Sequence, residues 1–509
     1  MAVGRREVLV GMVGTVGLTA MSGLVAGCGP KAGMGVAPVD PFRDWFGVDS
    51  GVVRRVLSAL SANGADAADL YFQHVRSSSV SLEDGIVHQA STHVDLGVGL
   101  RVVIGEQTGY AFTEELTEAS MLAAARTAAS IARGVAVVPP VSKSPRSVGG
   151  FYPVSIPWSA VGIETKLPLL RQVDSACRAA DPAIQKVSVS WGDSDEHVLI
   201  ATLAGDILVD DRPMSRLTTT VTAIRGGVSQ SNRADLAGRH DFAWFTPERV
   251  SELCKRAVDK TLILFDARRP PAGELPVVLA AGASGILLHE AIGHGMEADF
   301  NRKGVSIYAD LLGKKVAPDF VTIVDDATCQ NERGALNVDD EGTAGQRTVL
   351  VDRGVLTSYL HDAMSARHYG IASTGSGRRE SFRHMVLPRM RCTYMENGPH
   401  TRAEIVSSVK RGIIAETFTN GQVQIGAGDF TFYIKNGWMI EDGKVTFPIK
   451  DVNIIGNGPE ALRNVSMAAN DSTLDVGGWT CGKDGQSVPV SQGLPTVLVS
   501  SLTVGGVDG

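Results

Sequence analysis

The run His289-Glu290-Ala291-Ile292-Gly293-His294 places two imidazoles and a carboxylate within six residues. A hydrolytic zinc site needs neutral imidazole or thiolate ligands on a rigid element, a neighbouring carboxylate to handle a water proton, and one open coordination position. The hexad supplies the first two. Its histidines are five apart, against four in the common H-E-x-x-H arrangement. On a regular α-helix, at roughly 100° per residue, this turns the second ring about 140° away from the first. One π-helical turn removes most of that discrepancy. Gly293 is a place where the helix can distort or end, so the spacing predicts a π-bulge or broken turn between Ala291 and His294. The hexad alone leaves two readings open: a metal site, or a buried helix on which polar residues fell together. The second would set Glu290 among Leu287, Leu288 and Ile292, where a charged carboxylate needs a partner.

Other polar clusters are less directive. Arg378, Arg379 and Glu380 read either as positioning groups for a substrate carboxylate or carbonyl, or as a structural ion pair. Asp339, Asp340 and Glu341 suggest a second metal, but three consecutive side chains do not converge from a strand, and a turn is expected. His93, His384 and His400 lack a partner pattern. The six cysteines, at 28, 177, 254, 329, 392 and 481, are too few and too dispersed for a disulfide framework. Of these, Cys177, Cys254, Cys329 and Cys392 read as buried small hydrophobes.

The elements around the hexad follow from hydrophobic period. Helical stripes are expected over Val52–Asn63, Glu118–Arg133, Ile163–Ala179 and Pro247–Leu264, the last with proline in its first turn. Strands are expected at 70–75, 80–82, 94–104, 110–112, 186–191, 197–202 and 216–224, with Asp84-Gly85 as a hairpin turn. From Gly273 onward strands and turns dominate, with hairpin cues at Asp352-Arg353-Gly354, Glu441-Asp442-Gly443 and Asp484-Gly485. A buried strand at 275–280 leads into a helix from about Ser284, its expected N-cap, to Glu297. This is an α+β pattern. A chain of 509 residues exceeds what one core organises, so we expect an N-terminal domain over 41–240 and a C-terminal, β-rich domain over 241–509.

Apolar residues at 44% and charged residues at 20% place the chain among ordinary globular proteins. Its net charge of −7 and scattered Lys and Arg offer no track for a phosphate backbone, so nucleic acid is not an expected partner. Residues 1–40 read as an address and a linker. Arg5-Arg6 precede an uncharged stretch from Val8 to Ala26, and Val25-Ala26-Gly27-Cys28 resembles a lipobox whose cleavage leaves a lipidated Cys28. Arg5-Arg6-Glu7-Val8-Leu9 also resembles a twin-arginine export signal, with Gly4 where Ser or Thr is usual. An exported cell-envelope or periplasmic lipoprotein is therefore expected, touching membrane only through its lipid. A plain membrane anchor is the alternative, and a cytoplasmic protein follows if the signal reading fails.

The stretch from His289 through His294-Gly295-Met296-Glu297-Ala298-Asp299-Phe300-Asn301-Arg302 resembles the H-E-x-x-x-H segment of the TldD/PmbA family. So, in order, do Asp339-Asp340-Glu341-Gly342, Gly345-Gln346, the run from Gly375 to Ser381, Pro388-Arg389-Met390 and the run from Cys481 to Ser487. Val94-Asp95-Leu96-Gly97-Val98-Gly99-Leu100-Arg101 adds an N-terminal match. The resemblance implies an α/β N-terminal domain and a larger β-rich C-terminal domain that carries the H-E-x-x-x-H helix and the metal. It implies Zn²⁺ held by His289, His294 and Cys481, with Glu290 as general base for a metal-activated water. Glu297, three residues from His294, is the rival third ligand. The resemblance further implies hydrolysis of unfolded or modified peptides by a homodimer, or by a heterodimer with a PmbA/TldE-like subunit. A non-catalytic peptide-binding or regulatory homologue is the competing function, and a metal-dependent amidase a third.

Overall fold

In the computed structural model, which describes residues 40–506, the short apolar runs of the first half join into long strands. Ala67–Glu83 and Ile86–Ile104 form one antiparallel hairpin, and Ile184–Thr202 and Ile207–Arg225 form another. Apolar patterning lapses around Arg76–Ser79. The strand nonetheless continues, because ladders on both sides pair its backbone there. The turn between the first two strands, Asp84-Gly85, has both residues at positive φ, as a tight two-residue hairpin requires.

Across this sheet the order is Gln107–Thr113, Ile86–Ile104, Ala67–Glu83, Ile184–Thr202 and Ile207–Arg225, with Val228–Gly238 paired to the last. Every pairing is antiparallel except that of the two-residue strand Arg146–Ser147. The helices thus precede or follow antiparallel runs and do not cross over between parallel strands. Ser50–Leu60 and Glu118–Ala129 share a core with Leu70, Phe72 and Leu100. Ile163–Ala180 and Pro247–Leu262 share another with Val187, Val189, Leu217 and Val221.

From Gly273 the chain is strand-rich, and the whole is a mixed α+β fold. Arg411–Val423 pairs with Gly273–Leu279, which pairs with Val497–Gly505, then Val452–Asn457, then Asp429–Glu441, which pairs back to Arg411–Val423. The circuit closes on itself, leaving its inward side chains in the largest core of the protein. A second, six-stranded sheet includes Ile323–Asp326, Cys392–Met395 and Ser491–Leu494. The three hairpin cues of this half all hold. Arg353-Gly354, Asp442-Gly443 and Asp484-Gly485 are two-residue loops at positive φ.

Asp339–Glu341 forms the expected turn, in which Asp339 accepts from the Glu341, Thr343 and Gly377 N–H groups while Asp340 and Glu341 reach across to the first sheet. Arg212 bonds Asp210 at 2.8 Å and Asp340 at 2.7 Å, Arg101 pairs with Asp69 and Glu341, and Arg379 reaches Asp69 at 3.3 Å. All of these groups are buried. Among the described residues no helix is long and apolar enough to cross a membrane. Cys28 and the export-signal residues lie outside the described residues.

Candidate metal centre

The strand Gly273–Leu279 delivers the chain to a short α-helix, Gly285–Leu288, that passes into a π-helical turn over His289–Gly293 and a 3-10 turn over His294–Met296. Ser284 stands at the N-cap position but makes no cap bond. Its hydroxyl donates instead to the Ala415 carbonyl at 3.2 Å. Apolar side chains on all sides lock the segment in the core: Leu287, Leu288, Ala291, Ile292 and Met296 are all buried. The widened turn arrives where the five-residue spacing demands it, and brings the His289 and His294 rings to 5.1 Å between centroids at 82°. Gly293 does not end the helix, since its φ is −58°. It leaves room for Met390, whose Sδ would lie 2.1 Å from a Cβ built there.

Cys481 arrives from far along the chain on the strand Thr480–Lys483, paired with Gln486–Pro489. Alternation along this strand buries Cys481 and Lys483 and leaves Gly482 exposed. The Cys481 sulfur lies 3.4 Å from His294 Nε2, and one donor atom from each of His289, His294 and Cys481 falls within 4.8 Å of the others. Two nitrogen or sulfur donors on one tetrahedral zinc sit about 3.5 Å apart, so this set fits such an ion. His289 Nδ1, buried and without a hydrogen-bond partner, adds an unsatisfied polar atom to the site. Burial pushes the Cys481 thiol up, but the adjoining His289 and His294 outweigh it and bring the group down to about 4. The sulfur is thus disposed to be a thiolate, the form that binds metal.

Glu297 is fully buried, with Oε2 3.0 Å from His294 Nδ1 and 3.1 Å from Lys483 Nζ. It sits behind the His294 ring while Nε2 faces Cys481, the position of a group that orients an imidazole. Burial acts against the Glu297 carboxylate, but Lys483 and then His294 hold it down to about 2. Lys483 also pairs with Asp299 at 2.7 Å, and Arg389 donates to the Cys481 carbonyl at 2.6 Å. The lysine thereby ties the cysteine strand to the histidine segment. Sequence reasoning assigned no role to Lys483, Asp299 or Arg389. The period-two step from Cys481 to Lys483 was the available signal for the first.

Glu290 keeps its side chain 22% exposed while both histidines are buried, and its Oε2 lies 3.8 Å from His294 Nε2. It therefore borders the cluster from the solvent side. Arg378 and Arg379 go elsewhere. Arg379 stacks over Tyr71 at 4.4 Å, and Arg378 donates to the Met390 carbonyl at 2.7 Å. Cys177, Cys254 and Cys392 are buried, and Cys329 is partly exposed. His384 takes part in a local bond with Ser381 at 2.9 Å.

Three stretches match known family domains: residues 68–132 the PmbA/TldA metallopeptidase domain 1, residues 156–265 its central domain, and residues 272–506 its C-terminal domain. A metalloprotease TldD homolog of Haemophilus influenzae is 40% identical over 461 residues, spanning 89% of this chain and 95% of that protein. A zinc metalloprotease TldD homolog of Saccharolobus solfataricus is 27% identical over 444 residues, 87% of this chain and 97% of its own length. Among solved structures, TldE from Thermococcus kodakarensis superposes with a TM-score of 0.70 at 18% identity, covering 89% of this chain and 99% of that one.

Proposed function

This chain belongs to the TldD/PmbA metallopeptidase family, and from that premise we propose that it hydrolyses peptide bonds in unfolded or modified peptides with the help of one zinc ion. The observation that carries the reading is the meeting of His289, His294 and Cys481 with donor atoms within 4.8 Å, although His294 and Cys481 stand 187 residues apart in the chain. Two imidazoles and a thiolate would hold the ion and leave a fourth position free. Bound zinc supplies a Lewis acid for a carbonyl oxygen and makes a water more acidic. Glu290, partly exposed beside His294, takes a proton at its carboxylate and returns it to the leaving amine. Glu297 and Lys483 keep His294 in the tautomer whose Nε2 points at the cluster.

The test is the Glu290→Gln variant. It should retain one zinc per chain by elemental analysis and lose peptide cleavage by at least about 10²-fold. Cleavage equal to that of the parent would overturn the assignment of Glu290. A zinc-loaded parent that cleaves no peptide in a library digest would favour the non-catalytic binding function.

Two further expectations belong to this reading. The active unit is a homodimer or a pair with a PmbA/TldE-like subunit, and sedimentation of the purified protein with and without such a partner decides between them. The lipobox-like segment makes it an exported lipoprotein acylated at Cys28. Mass analysis of the cell-derived protein should then show an N-terminus at Cys28 carrying lipid, whereas a retained Met1 would refute it.

A further inference from the structure

A cavity of about 360 Å³ opens where the first sheet meets the strands that surround the metal centre. Five cations line it: Arg216, Arg233, Arg256, Lys260 and Lys435. Against them stand two carboxylates, Asp235 and Asp475, which leaves a formal excess of three positive charges. Asp235 is shared by Arg216 at 2.7 Å and Arg233 at 3.7 Å. Asp475 accepts the indole N–H of Trp479. Among the described residues, no carboxylate lies within 4.0 Å of Arg256, Lys260 or Lys435.

Partly buried cations without counter-ions are costly unless something satisfies them. The cavity wall holds two buried polar atoms with no hydrogen-bond partner, Arg256 Nε and Thr417 Oγ1, a donor and a group that can donate or accept. Burial holds the Lys260 ammonium below its ordinary value although Asp475 pulls the other way. Two wall residues are also close in sequence to the metal centre. Trp479 lines the cavity and stands two residues before Cys481, at most about 7 Å along the chain. Ala283, also in the wall, stands just before the Gly285–Leu288 helix that leads into His289.

We propose that this cavity is a carboxylate-binding subsite for the peptide substrate, holding either its C-terminal carboxylate or an acidic side chain a few residues from the bond to be cut. The inference rests on the peptidase reading, because carboxylates are the anions that an ordinary peptide carries. Lys260, Lys435 and Arg256 supply the charge that would hold it. Arg216 and Arg233 are already engaged by Asp235 and frame the cavity.

The experiment uses the full zinc-loaded chain carrying Glu290→Gln, so that binding is read without cleavage. Three acetylated hexapeptides of alanine and one phenylalanine serve as probes: a free acid, its C-terminal amide, and an amide with one internal glutamate. By calorimetry the free acid or the glutamate peptide should bind at least about tenfold more tightly than the neutral amide. Whichever acid prevails identifies the carboxylate that is held. Adding Lys260→Gln and Lys435→Gln should narrow that ratio to about twofold or less. Equal affinities, or no measurable binding of either acid, overturn the subsite, whether or not the cavity variants fold. Cleavage by the parent chain is scored separately on all three peptides. Cleavage without acid preference sinks only the subsite, while failure to cleave any of the three counts against the peptidase reading itself.

Discussion

His294 is the residue on which most of the site converges. Its Nε2 faces Cys481, its Nδ1 faces Glu297, and Glu297 is in turn held by Lys483. An imidazole fixed in this way needs no reorientation when a metal arrives, and removing an orienting carboxylate of this kind costs roughly 10–100-fold in metal affinity. Glu297→Gln, near in shape but uncharged, should therefore weaken zinc binding by about that factor in chelator competition without abolishing it. Cys481→Ser should instead leave the purified protein with far below one zinc per chain. If both variants lost zinc equally, Glu297 would be acting as a ligand and not as the support its position behind the ring implies.

At the scale of elements, the site joins a distorted helical segment to a hairpin. The hairpin is registered by Asp484-Gly485, with φ of 49° and 72°. That register puts both Cys481 and Lys483 on the buried face. A β-branched residue at the second turn position strains the left-handed conformation by about 1–2 kcal/mol. Gly485→Val should lower the urea midpoint correspondingly, and should also weaken zinc binding because the turn sets where the thiolate points. An unchanged zinc affinity would mean that the strand is positioned by Arg389 and Lys483 alone. The histidine segment was legible in outline, since a five-residue spacing on a helix forces a widened turn. Its Ser284 cap was not, because the hydroxyl found a tertiary acceptor in Ala415.

At the scale of the molecule, the first sheet is bound to the second half by buried ion pairs. Arg212 is the hub, bonding Asp210, Asp340 and the Val338 carbonyl. Removing one partner from such a group strands the others in low dielectric, at about 3–5 kcal/mol. Arg212→Met should thus cause a marked drop in the urea midpoint, and a change near zero would show that water relieves the stranded carboxylates. Acid should loosen the fold as well. His240, stacked on Trp244 at 4.0 Å, is held down to about 4 by burial and then by Arg249, and His361 is held down to about 4 by burial. Their folded-state values lie below the unfolded value near 6.5. The stability they contribute is therefore full above about pH 6.5 and is lost as pH falls towards 4, on the order of 3 kcal/mol each. Melting temperature should fall across that window, and His240→Phe should flatten the fall.

The α+β class, the turns at positive φ, the widened helical turn and the order of the family-like segments were all determined by local sequence, because period, turn chemistry and spacing act within a few residues. Two things were decided only by tertiary structure. Short apolar runs became long strands because neighbouring ladders satisfied the polar stretches between them. Glu297 and Lys483 became the support of His294 because a hairpin whose Lys483 lies 184 residues after Asp299 folds back against the histidine segment. A side chain's partner depends on where distant chain arrives, and no local period encodes that position.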